Sequence, residues 1–186
     1  MTAAPASQLR ARIPSRLLIA VLVTGVTALI AQVVLVRELL SLFLGNELSI
    51  AFVLAVWLAA VAAGSALGAR IAPRLRSPEG AFALSQLALA LLLPAALLIV
   101  RSAQPPGITP GEAWGPGAML LVSLGTLGLV CLLAGLQFVF AAAAVGRRRA
   151  TAESVSPVAL VYALEAAGAI LGGIAFHFWL SQHIVA

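Results

Sequence analysis

An all-α, polytopic bundle of about five membrane-spanning helices is the fold class this sequence predicts, and three observations carry it. The chain is 62% hydrophobic and 9% charged, with a mean hydropathy of +1.12. A soluble domain of 186 residues could not hide that much apolar surface. Five apolar runs are each long enough to cross ~30 Å of hydrocarbon at ~1.5 Å per residue. Between them the arginines gather in clusters that alternate with the runs, as the positive-inside rule requires.

In chain order, residues 1–16 form a basic N-terminus bearing Arg10, Arg12 and Arg16. The first span, 17–43, has no A-x-A cleavage site and exceeds the ~7–15 residues of a signal-peptide core, so it reads as a retained helix. Gly45-Asn46 makes a tight turn into the second span, 48–70. The segment "APRLRSPEG", with two prolines, separates that span from the third, 81–100. The long loop "AQPPGITPGEAWGPG" leads to the fourth, 117–146, which is longer than a crossing needs and should tilt or bend near its glycines. Ser156-Pro157 has the form of an N-cap with proline at N1 and opens the fifth span, 157–180. Residues 181–186 are then a short tail. An odd number of spans ending without a polar segment leads us to expect a truncated module.

All basic residues are arginine and all acidic ones glutamate, eleven against six. Arg10, Arg12 and Arg16, then Arg70, Arg74 and Arg76, then Arg147, Arg148 and Arg149 fall on one face of the expected bundle, which places the N-terminus in the cytoplasm. Because these arginines lie between apolar runs rather than along a soluble face, no nucleic-acid partner is expected. The "GRRRA" cluster would also attract anionic lipid, so the bilayer is the first partner. Cys131 is the single cysteine, which excludes an intrachain disulfide and a cysteine metal site. His177 and His183 near the last span lack a carboxylate or cysteine pattern, so no metal is expected.

Four polar residues within the apolar runs are the candidate proton or substrate site: Gln32, Arg37, Glu38 and Glu165. Arg37 and Glu38 are adjacent, so their side chains diverge by ~100° and each needs its own partner. Arg37 is within snorkelling reach of the outer interface. Glu38 shares a narrow polar stripe with Thr24, Thr27 and Ala31, which suits a bundle interior. Glu47 sits in the turn and should be solvated. Glu165 is the deepest acid, ~12 Å beyond Pro157. It lies on one face with Tyr162, Gly168, Ala169, Gly172 and Phe176, a stripe that should face protein. Acids at that depth are functional candidates; a packing role and a proton- or substrate-binding role for Glu165 both remain open.

Gly168-x-x-x-Gly172 and Ala60-x-x-x-Gly64-x-x-x-Gly68 read as close-packing faces. Gln32 and Gln137 are single amides of the kind that form interhelical hydrogen bonds, and Trp57, Trp114 and Trp179 are belt or packing residues. Enzyme signatures are missing from the sequence: no G-x-G-x-x-G, no G-x-x-x-x-G-K-[ST], no H-E-x-x-H and no aspartate. No catalysis by this chain alone and no cofactor are expected.

Two segments, "ALIAQVVLVRELLSLFLGNELSIAFVLAVWLAAVAAGSALGARIA" and "VALVYALEAAGAILGGIAFHFWL", carry a resemblance over roughly 17–73 and 157–180. Its more specific features are Gln32, Arg37-Glu38, Gly45-Asn46-Glu47, Trp57, Gly64, Gly68, Tyr162, Glu165, Gly168, Gly172 and Gly173. This pattern resembles the membrane region of bacterial fused proteins in which a major-facilitator-like helical half precedes a spermidine synthase-like domain. "GSALGARIAPRLR" is similar to the loop after the second helix of major facilitators, without that loop's aspartate. The resemblance implies a bacterial inner-membrane, non-catalytic module that anchors or serves a polyamine-related, aminopropyltransferase-like domain. The glycine-rich nucleotide site and acidic catalytic residues of such a domain are not in this chain, so the partner would be a downstream or separate synthase-like domain, or other membrane helices. The alternatives are a fragment of a secondary transporter of small molecules and a structural membrane subunit.

Overall fold

The computed structural model describes residues 13–103, 114–148 and 155–180, and of residues 179 and 180 the backbone alone. The loop 104–113, Arg10, Arg12, Arg149, His183, the side chain of Trp179 and the tail 181–186 therefore lie outside the described residues. All regular structure among the described residues is helical. Helix α1 covers Ser15–Leu42 and α2 Glu47–Ile71, which a 3₁₀ turn, Ala72–Arg74, extends. Helix α3 covers Pro78–Ser102. A fourth span runs from Pro116 to Arg148 as α4 (Pro116–Ser123), a π-helical turn (Leu124–Gly128) and α5 (Leu129–Arg148). Helix α6, Pro157–Ala175, ends in a second π turn, Phe176–Leu180. Five of these spans are long and apolar enough to cross a membrane, with mean hydropathies of 1.9 to 2.5.

Capping chemistry sets where the helices start. The Asn46 carboxamide oxygen accepts from the Ser49 N–H and from the Ser49 hydroxyl, both at 2.7 Å, so α2 begins at Glu47 and not at the expected 48. Ser77 accepts from the Gly80 N–H at 3.1 Å with Pro78 at N1, so α3 begins three residues before the expected 81. At Ser156-Pro157 the proline is at N1, but the hydroxyl makes no capping bond. The α1–α2 turn needs Leu44 and Gly45 both at φ 63°. Glycine takes that conformation freely and leucine does so under strain, while the Gly45 N–H closes the helix end on Leu40 O at 2.8 Å. Where the fourth span was expected to tilt or bend near its glycines, it holds a π turn, Leu124–Gly128, which contains Gly125 and Gly128.

Neighbours in sequence are not the main packing partners. Helix α1 lies chiefly on α6 and α2 on α5, α3 also packs on α5, and α1 and α2 touch sparingly despite their short turn. Small residues explain the pairing. A Cβ built on Gly25 would stand 2.8 Å from the Glu165 Cα, one on Gly168 3.1 Å from the Gly25 Cα, and one on Gly172 2.8 Å from Val26 O. In α2 and α5, a Cβ on Gly64 would stand 2.8 Å from Leu132 C, one on Gly68 2.9 Å from Val139 Cβ, and one on Gly135 2.9 Å from Ser65 N. Ala60 is buried on the same face of α2. Because 44% of the fourth span's apolar window is buried against 17–28% in the others, α5 is the central helix.

Two apolar cores result. One, towards the α1–α2 turn, contains Leu35, Leu39, Phe43, Val53, Leu127 and Cys131, with Trp114 edge-on to Phe43 at 5.4 Å. The other, towards the arginine-bearing ends, contains Leu17, Val21, Phe82, Phe140, Val145 and Val161. A layer of polar side chains lies between them.

Candidate intramembrane binding site

Helices α1 and α5 each contribute polar residues in the register between their two core segments. On α1, Thr24 and Gln32 fall between Val21 and Leu35; on α5, Gln137 falls between Cys131 and Phe140. With Ser65 of α2 and Tyr162 and Glu165 of α6 they line a cavity of about 320 Å³, whose remaining wall includes Ala28, Val61, Gly135 and Phe138. The close approach of α1 to α6 at Gly25 fixes the backbone of Glu165.

The hydrogen bonds leave part of this layer open. Thr24 donates to Ala20 O at 2.9 Å and accepts from the Gln86 carboxamide of α3, while Ser65 donates to Gly135 O at 3.5 Å. Gln137 is fully buried, and neither its amide nitrogen nor its amide oxygen has a partner. The expectation that Gln137 ties helices together is thus corrected, since the interhelical amide bond comes from Gln86. Two ion pairs join described residues, Arg101–Glu38 and Arg148–Glu79, and neither involves Glu165. The cavity therefore combines one carboxyl, two carboxamides and three hydroxyls, a set rich in acceptors and, among the described residues, without a cation.

Tyr162 requires a second correction. The stripe it shares with Glu165 and Gly168 was expected to face protein, yet Tyr162 is 69% exposed although it also lines the cavity. Three residues along a helix turn ~300°, which places Tyr162 at the stripe's edge, and the tight α1–α6 contact has no room for a ring. On α1, Thr24 and Ala31 are buried, whereas Thr27 is exposed and donates to Val23 O at 3.0 Å.

Glu38 and Arg37 lie near the other end of α1. The Glu38 carboxylate accepts from Arg101 Nη2 at 2.6 Å and Nε at 3.2 Å, so its partner comes from the end of α3. Arg37 is exposed and in neither of the two ion pairs. It borders an apolar groove of about 700 Å³ between α1 and α2, which also reaches Gln32 and Trp57, whose indole N–H is buried without an acceptor. Gln32 thus lines both the groove and the cavity. Glu47 is exposed in the first turn of α2. At the arginine-bearing end, Arg147 donates to Arg76 O at 2.7 Å and to Leu75 O, and Arg148 meets Glu79 at 2.6 Å.

Sequence reading did not single out Gln86, Ser65 or Arg101. Gln86 is a lone amide in an apolar run, as Gln32 is, and Arg101 is, with Arg37, one of two arginines outside the clusters; those were the available signals. Comparison with family models, curated proteins and solved structures gives no match for this chain.

Proposed function

We propose that the chain is the membrane-integral, non-catalytic module of a spermidine synthase-like fusion, and that its cavity holds a small amine-bearing solute of the polyamine class. The observation that carries this reading is the pairing of Glu165 with the unpartnered, fully buried amide of Gln137 on one cavity inside a membrane-length bundle. A carboxylate with carboxamide and hydroxyl acceptors suits a primary or secondary ammonium group, whose N–H donors would answer acceptors that the protein leaves free. At about 320 Å³ the cavity is at the small end of ligand sites, consistent with a short linear amine. An orientation with the N-terminus and arginine-bearing helix ends in the bacterial cytoplasm places the solute within reach of a cytoplasmic synthase-like domain.

Equilibrium binding of a radiolabelled linear triamine to the purified chain in nanodiscs tests this. Saturable binding that Glu165→Gln weakens by at least tenfold is expected, since a charge-assisted hydrogen bond contributes ~1.5–3 kcal/mol. Binding unchanged in that variant, or no binding to the unaltered chain, overturns the reading. The seating of the Glu165 backbone against Gly25 favours a purely structural role instead, and unchanged binding would leave that one standing. A transporter reading rests on the same cavity and requires uptake into proteoliposomes in addition to binding. For the orientation, alkaline phosphatase fused at Arg76 should be inactive, and an active fusion refutes it.

A further inference from the structure

We infer that the groove between α1 and α2 is a binding site for one anionic phospholipid, with its acyl chain along the groove and its phosphate on Arg37. Four observations support this. First, the groove opens outward from a membrane-length bundle, and its wall residues Leu44 and Leu54 are 56% and 42% exposed, so what fills it is hydrocarbon. Secondly, the stretch inward of the charge suits one leaflet: from Arg37 to Leu29 along α1 is ~12 Å, most of the ~15 Å that is half of a ~30 Å hydrocarbon core. Thirdly, the charge lies on the turn side of that apolar stretch. Arg37 borders the groove near the α1–α2 turn, exposed and outside both ion pairs between described residues, and a side chain of that length reaches the headgroup level. Fourthly, Ser41 lies one helical turn beyond Arg37 on the same groove and adds a hydroxyl donor, so guanidinium and hydroxyl together match a phosphate.

Glu38 is the feature that could have opposed an anion here, because it shares a small cavity with Arg37 and Ser41. Arg101 neutralises it from α3 at 2.6 Å, which leaves the charge of Arg37 uncompensated. A zwitterionic lipid would fill the groove equally well but would bring its own cation to Arg37, so anionic headgroups should be preferred. This lipid site does not depend on the amine reading, since no residue of the Glu165 cavity except Gln32 borders the groove.

Trp57 at the inner end of the groove is a built-in reporter. The chain is reconstituted in phosphatidylcholine nanodiscs containing a minor fraction of lipid brominated towards the chain end, either phosphatidylglycerol or phosphatidylcholine. The Trp57 emission is isolated by subtracting that of Trp57→Phe. Quenching by the brominated phosphatidylglycerol should exceed that by the same fraction of brominated phosphatidylcholine severalfold. Arg37→Gln should abolish the difference, and Arg37→Lys should keep most of it. Arg37 is exposed, so neither variant disturbs packing, and circular dichroism verifies helicity. Equal quenching by the two lipids in the unaltered chain refutes the site, as does a preference that survives Arg37→Gln. Quantitative disulfide dimers of Ser41→Cys would show that a second copy covers the groove, which also refutes it.

Discussion

Glu38 and Glu165 are both carboxylic acids within apolar helices, but the bundle provides for them differently. Glu38, near the turn-side end of α1, is gripped by Arg101 through two hydrogen bonds and keeps a quarter of its side chain exposed. Glu165 lies eight residues inside α6, seated against α1 through Gly25 and facing a cavity whose other polar groups are uncharged. A charge in the membrane needs a partner or a water-filled space. For Glu38 the chain supplies that partner, and for Glu165 the described residues do not, so binding is to be sought at Glu165 and structural pairing at Glu38.

The comparison breaks most severely if the seat of Glu165 is removed. Gly168→Leu would drive a side chain into the backbone of α1, where a Cβ alone would already stand 3.1 Å from the Gly25 Cα. Backbone cannot give as a flexible side chain can, so the cost should reach or pass the ~3 kcal/mol upper end of ordinary overpacking. Thermal unfolding in detergent should record a large fall in Tm or loss of the folded species. Gly173→Ala, whose nearest neighbour is the end of the Leu29 side chain at 3.3 Å, should change Tm little. Equal effects of the two substitutions would contradict the helix pairing described above.

Next in size is the functional contrast. Glu38→Gln should leave amine binding within twofold of the unaltered chain, against the tenfold or greater loss expected for Glu165→Gln. If Glu38→Gln weakens binding as much, the solute sits at the turn-side end of α1 and the assignment of the cavity fails.

Much of this arrangement was legible in the sequence, and what was not has identifiable causes. Helix number and approximate bounds follow from apolar run length, because a hydrocarbon slab fixes the length of each span. The small-residue faces at Gly64, Gly68, Gly168 and Gly172 were legible as well, since backbone approach needs the absence of a side chain. What each face meets was not: α1 pairs with α6 across most of the chain, and no local pattern encodes that choice. The partner of Glu38, 63 residues away, was hidden for the same reason. Tyr162 was misplaced because a helical-wheel sector cannot tell its edge from its centre, and Gln137 because its amide was assumed to be satisfied.

Gln137 sharpens the comparison through stability. An amide buried without partners costs ~1–3 kcal/mol, and the cost is recovered when an apolar group of similar shape replaces it. Gln137→Leu should therefore raise stability by about 1 kcal/mol while weakening amine binding, so Tm and affinity move in opposite directions. A fall in both would mean that Gln137 has a structural partner after all, and would weaken the case for a ligand in this cavity.

The smallest expected effect is at Glu38 itself. Arg101 is more than half exposed, and exposed ion pairs contribute little because solvent and salt screen them. Glu38→Gln and Arg101→Gln should each lower Tm slightly, and the double variant should lower it by less than the sum of the two, since the second substitution removes a group that already lacks its partner. The deficit should shrink as ionic strength rises. Glu165→Gln serves as the internal contrast: combined with Arg101→Gln it should be additive at every salt concentration, because no described ion pair joins them. Non-additivity between Glu165 and Arg101 would mean that the two acids share one electrostatic network, and the distinction drawn between them would no longer hold.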